Sequence, residues 1–207
     1  LIVKPADNCS SRGVSVVEKE DELQAALTDA FSASRNGRVM VEEFIQGIEG
    51  SVEAIVVDGS STVLGISSKR KSELPLRYDL ELHYPGDFTD DQNGQISQLV
   101  RDLTRTFEIE SGILHIEFIF SETNQIHLIE FAVRGCGSNV ITHLLPETTG
   151  CDLIAAQLLL AFGKTPDIAI SKTNAGILSF VTTPSGTLTE LDGLENSEAD
   201  SGPGEDG

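Results

Sequence analysis

The 207-residue chain has no tryptophan, one methionine and only 5% aromatic residues. Nothing in it suggests an aromatic platform for a sugar. Basic residues are also scarce. Fourteen Lys and Arg stand against 33 Asp and Glu, a net charge of -19. A sequence-independent nucleic-acid surface needs a basic face to displace counterions, so nucleic acid is not an expected partner. Phosphate ligands stay open, because a few basic side chains, backbone N–H groups and a metal ion can hold one inside an acidic protein. The three cysteines, Cys9, Cys136 and Cys151, show no CxxC spacing. That argues against a disulfide framework or a structural zinc site and points to a reducing, cytoplasmic setting. No apolar run reaches spanning length and no signal peptide is visible, so no membrane partner is expected. There is no initiator Met, and the opening "LIVKP" reads as mid-strand, so the expectation is a fragment that lacks its N-terminal part.

At 39% hydrophobic residues, the chain can build a core. "LIVKP", "VSVV" and "RVMVEEFI" read as strands. "EDELQAALTDAFSAS" carries Leu23, Leu27, Ala30 and Phe31 at a helical period. "SVEAIVVDGSSTVLGISS" predicts a hairpin turning at Asp58-Gly59. Residues 69–91 hold no period and predict a long loop. In "QISQLVRDLTRTF", Ile96, Leu99, Val100, Leu103 and Phe107 form one helical stripe. "GILHIEFIF" and "QIHLIEFAV" predict two strands around a short turn. "DLIAAQLLLAFG" predicts a buried helix with Gly163 at its C-cap. "AGILSFVTT" predicts a strand, "PSG" a turn, and the acidic end "NSEADSGPGEDG" a disordered tail. Hairpins outnumber strand-helix-strand units, which favours α+β with antiparallel sheets.

"IHLIEFAVRGCGSN" places the carboxylate of Glu130 in an apolar strand, with Arg134 and a Gly-containing loop behind it. If the preceding turn centres on Thr123-Asn124, Glu117 lies opposite Glu130 and His115 opposite Ala132. Then Glu117, His115, Glu130, Ala132 and Arg134 share one face. A two-residue or symmetric four-residue turn gives this register, and a three- or five-residue turn breaks it. Opposed carboxylates repel. They need a shared proton, an arginine or a divalent cation, and Mg²⁺ commonly takes one or two protein carboxylates plus substrate phosphates. A solvated sheet face and a glycosidase-like acid/base pair remain the alternatives.

Taken together, these motifs resemble the ATP-grasp superfamily, in particular its carboxylate-amine ligase branch with carbamoyl-phosphate-synthase-like proteins. The resemblance runs from "VKPADNCSSRGVSVV" to "GILSFVTTPSGTLTELDGLE" and implies an α+β ATP-grasp fold. It implies that Lys4 and the loop Ser10, Ser11, Arg12 and Gly13 meet nucleotide phosphates. Serines stand there where the family is richer in glycine. It implies an adenine slot at Glu42, Glu43, Phe44 and Ile45, with only one of the two glutamates facing inward, and a ribose contact at Glu49. Glu53 has the strand parity of Glu49. Metal ligands would be Glu117 and Glu130, with Ala132 where many members carry Asn. Arg134 would hold an anionic group, assisted by His115 as a second catalytic residue. Of Lys69, Arg70 and Lys71, at least two are expected to be solvated.

The activity so implied is ATP- and Mg²⁺-dependent ligation (Mn²⁺ can substitute) of a small-molecule carboxylate to an amine through an acyl phosphate. A nucleotide-binding domain without turnover is the alternative, and a plain structural domain a third. Family members commonly form homodimers, which sets one expectation for assembly. The expected organisation is residues 1–45 as the remainder of an N-terminal subdomain and 46–165 as a C-terminal subdomain with the metal site. Residues 166–195 form a small β-containing extension and 196–207 the tail.

Overall fold

The structure is a computed structural model of the chain. It describes residues 1–73, 77–181, 186–187, 189–190 and 192. Pro184 and Ser185 of the expected "PSG" turn and the whole acidic tail fall outside the described residues.

Among the described residues, two antiparallel sheets make up the fold. The smaller has three strands in the order β2-β1-β3, from β1 (Ile2–Pro5), β2 (Ser15–Val16) and β3 (Val39–Glu42). Helix α1 (Leu23–Ala33) covers it, burying Ala26 and Ala30 against Val3 and Val17. Phe31, expected on the helix's inner stripe, is exposed. The larger sheet holds β4 (Gly47–Val57), β5 (Ser60–Lys71), β6 (Asp79–Tyr84), β7 (Gly112–Ser121), β8 (Ile126–Ala132) and β9 (Gly176–Ser179). Their order is β8-β7-β4-β5-β6-β9.

The β4–β5 turn falls at Asp58-Gly59 as expected, and both residues have positive φ, as a two-residue type I′ hairpin requires. The 69–91 segment does not. β5 continues to Lys71, and β6 pairs with it from Asp79, so most of the expected loop is sheet. Charged residues at inward-facing positions hid the strand period. Helix α2 (Asp90–Thr106) starts at a capping box, in which the Thr89 hydroxyl accepts from the Gln92 N–H.

One face of the large sheet packs on α2, where Val52, Val56, Ile116 and Phe118 meet Ile96, Val100 and Leu103. Phe107, at the end of that helical stripe, stays exposed and packs its ring against Phe131 at 4.8 Å. The other face is divided. One half is apolar, with Ile55, Leu64, Leu82 and Ile113 packed under α3 (Leu145–Thr149), α4 (Leu153–Ala161) and a π-helical turn, Val140–Leu144. α4 is less buried than its sequence suggested. Leu153 and Ala156 are buried, whereas Ile154, Leu158 and the C-capping Phe162 are exposed. The other half is polar.

That polar half depends on two bulges. Between Glu53 and Ala54 the register on β5 jumps from Gly65 to Val63, leaving Leu64 extra. Between Glu117 and Phe118 the register on β8 jumps from Glu130 to Leu128, leaving Ile129 extra. An added residue flips the face of everything beyond it. Ile126 and Phe131 therefore both pack on the α2 side. They lie five residues apart, a spacing that a regular strand would send to opposite faces. The flip puts Glu130 directly opposite Glu117, and His115 opposite Ala132.

Candidate active site

The small sheet faces the polar half of the large one across a cleft of about 240 Å³. β1 brings Lys4 to its wall, and the loop after β1 brings Ser10, Ser11 and Arg12. Ser10 and Ser11 take positive φ, the conformation that glycine usually supplies. The Ser11 hydroxyl donates to the Arg77 carbonyl at 3.2 Å, tying the loop across the cleft. Gly13 does not line the cleft. It packs against α1, where a Cβ would sit 2.5 Å from that of Ala33.

The end of β3 supplies Glu42, and the connection to β4 supplies Glu43, Phe44 and Ile45. The strand-parity argument admitted only one of the two glutamates, but β3 ends at Glu42 and both line the cleft. Glu42 pairs with Lys4 at 2.5 Å. Glu49, at the start of β4, meets Lys71 at 2.9 Å and also Arg77, whose guanidinium lies 5.9 Å from the centre of the Phe44 ring.

Lys69 and Lys71 reverse the expectation of solvated lysines. The Lys69 side chain is 3% exposed and bonds Glu117 at 2.8 Å and Asp79 at 3.4 Å. Lys71 bonds Asp79 at 2.8 Å. Only Arg70 points outward, onto Glu81. Burial alone would lower the Lys69 pKa. The carboxylates of Glu117 and Asp79 prevail and raise it above the ordinary lysine value.

Glu117 and Glu130 both line the cleft. Burial would raise the Glu117 pKa, but the His115 bond and the Lys69 charge hold it well below the ordinary carboxylate value. Among the described residues Glu130 has no ion-pair partner. Two sequence expectations end elsewhere. β8 stops at Ala132, so Arg134 leaves the shared face. It is exposed, and its Nη1 donates to the Gly135 carbonyl at 2.9 Å. His115 does share the face but lies beneath the cleft, its side chain 6% exposed. It sits between Glu53, 2.5 Å from Nδ1, and Glu117, 3.3 Å from Nε2. Glu53 is fully buried and also accepts from the Cys136 N–H at 3.3 Å. Burial would lower the His115 pKa. Bonds to Cys136, Glu117 and Glu53 instead push it up to about 12, so the ring is an imidazolium.

Among the described residues, six carboxylates and four Lys or Arg side chains line the cleft. A polyphosphate would add further negative charge, so its binding there calls for divalent cations. The residues fit such a pair of guests. The Nε of Arg77 is buried without a hydrogen-bond partner among the described residues, a donor ready for an anion. Glu117 and Glu130 present oxygen ligands for the ion. The ATP-grasp domain matches residues 1–143 of the chain. The chain belongs to the ATP-grasp family.

Similarity to individual proteins is more distant. The chain is 30% identical over 155 residues to a D-alanine–D-alanine ligase of Geotalea uraniireducens, covering 71% of itself and 47% of that protein. It is 27% identical over 204 residues to the uncharacterized protein y4rH of Sinorhizobium fredii, covering 96% of itself and 41% of that protein. Among solved structures, an L-amino acid ligase from Bacillus licheniformis superposes with a TM-score of 0.79 at 23% identity. The match covers 94% of this chain and 48% of that one. The chain thus spans under half the length of these proteins. No helix among the described residues is long and apolar enough to cross a membrane.

Sequence reasoning missed Arg77 and Asp79, which sit in what read as a featureless loop. It also missed Cys136 as a partner of Glu53. Those two residues are 83 positions apart, and no local pattern joins them.

Proposed function

We propose that the intact protein is an ATP- and Mg²⁺-dependent ligase joining a small-molecule carboxylate to an amine or similar nucleophile. The observation that carries this reading is the direct opposition of Glu117 and Glu130 across β7 and β8, at the wall of an acid-rich cleft. Residues 1–45 and 46–165 are the two ATP-grasp subdomains in this reading, and 166–195 the C-terminal extension.

The segment Glu42–Ile45 takes the adenine, and Glu49 the ribose hydroxyls. Lys4, the 10–12 loop and the free Arg77 Nε–H take phosphate oxygens. Glu117 and Glu130 hold Mg²⁺, which when bound neutralises phosphate charge. The substrate carboxylate attacks the γ-phosphorus, releasing ADP and leaving an acyl phosphate. The amine then displaces phosphate. Such phosphoryl transfer needs positioning and charge compensation more than side-chain covalent chemistry. Lys69 and His115 act one step back. They hold Glu117 ionised and fix its orientation, so His115 is a positioning residue.

A nucleotide-binding domain without turnover is the second reading, and Ala132 favours it. It stands opposite His115 and offers no ligand where many family members place Asn. Calorimetry of a nonhydrolysable ATP analogue with the full-length protein tests the binding site. Binding should require Mg²⁺ and weaken at least tenfold, about 1.4 kcal/mol, in Glu130→Gln. Unchanged affinity in that variant removes the metal assignment. Mg²⁺-dependent ADP release with candidate acids and amines then separates ligase from binding domain.

A further inference from the structure

Beneath Glu117, away from the cleft, three donors of different chemistry converge. A carboxylate oxygen of Glu53, a ring nitrogen of His115 and the Sγ of Cys136 all lie within 4.8 Å of one another. Glu53 and His115 are buried. Cys136 is half-buried in a loop whose neighbours Arg134, Gly137 and Ser138 are exposed.

We propose that Glu53, His115 and Cys136 form a second cation site, specific for Zn²⁺ and similar transition metals and separate from the Glu117–Glu130 pair. Thiolate, imidazole and carboxylate are a donor set for zinc, whereas Mg²⁺ seeks oxygen alone. The surroundings are already those of a metal-bound histidine. Such a ring typically donates its other N–H to a carboxylate, which fixes the tautomer. Here Nδ1 faces the cluster and Nε2 faces Glu117 at 3.3 Å.

Two ligands at about 2.0–2.1 Å in a tetrahedral shell sit roughly 3.3 Å apart. The Nδ1–Oε1 separation of 2.5 Å must therefore open by a little under 1 Å.

Co²⁺ is the probe, added to the full-length protein. A thiolate-to-cobalt charge-transfer absorption should saturate near one equivalent. It should vanish in Cys136→Ser and persist in Cys9→Ser and Glu130→Gln. Glu117→Gln should weaken Co²⁺ affinity about 10- to 100-fold, as loss of a carboxylate behind a ligating histidine does. A band that survives Cys136→Ser, or no band at all, overturns the proposal. X-ray absorption at the zinc edge of the wild-type protein needs no variant. One sulfur in the first shell supports the site, and a shell of oxygen and nitrogen alone refutes it. Neither measurement uses nucleotide, so the outcome stands apart from the ligase reading.

Discussion

Replacing Glu53 by Gln tests the buried centre of the large sheet. The change keeps the side chain's shape and an acceptor for the Cys136 N–H, but removes the counter-ion of His115. Glu53 has no exposed surface, and the His115 side chain is 6% exposed, so water cannot take over the lost role. Breaking a buried pair by removing one partner costs about 3–5 kcal/mol. Glu117 remains on the far nitrogen at 3.3 Å, which places the loss near the lower end, about 3 kcal/mol. For a chain of this size that lowers Tm by about 6–12 °C. Urea titrations of wild type, Glu53→Gln, His115→Asn and the double variant measure it. The two single losses should not add, and the coupling should be about 2 kcal/mol. A Glu53→Gln loss below about 1 kcal/mol, or additive single losses, would refute the view that an ion pair occupies this position.

Stability should follow pH from the same residues. The His115 pKa is raised to about 12, so its contribution is complete below its unfolded value near 6.5 and fades as pH rises towards 12. The Glu117 pKa is depressed, so its contribution is complete above about 4.5 and is lost as pH falls further. For these two groups, unfolding midpoints should peak between about pH 4.5 and 6.5, and a midpoint still rising above pH 8 would contradict the assignment. Gly47→Ala should destabilise by about 1–3 kcal/mol, because its Cβ would lie 1.8 Å from the Phe120 carbonyl oxygen and the β4–β7 ladder must yield. Leu153→Ala, which opens a cavity under the apolar half of the sheet, should cost about 2–5 kcal/mol by urea titration.

Much of the fold was legible in the sequence because its signals are local. The Asp58-Gly59 turn, the α2 stripe and the two strands bearing Glu117 and Glu130 each announce themselves within a dozen residues. The opposition of those glutamates was also legible, but by compensation. The expected turn centred on Thr123-Asn124, with one register throughout. The actual turn has three residues, Glu122 to Asn124, closed by a bond from the Ser121 N–H to the Gln125 carbonyl. Alone it would have broken the pairing, and the extra Ile129 restores it. Bulges leave no period to read, and inward-facing lysines disguise a strand as a loop. That is why Lys69, Lys71 and Asp79 were misplaced. Arg134 was lost for a related reason. Parity was extended two residues beyond the end of β8, where it no longer applies.

The bulge at Ile129 makes the hairpin modular. While the pairs from Phe118↔Leu128 to Phe120↔Ile126 hold, a turn of another length leaves Glu130 opposite Glu117. Relatives should therefore vary freely in length at the turn. A residue inserted in β8 between Ile126 and Leu128 would instead slip Glu130 by one place, out of the cleft and into the face that packs on α2.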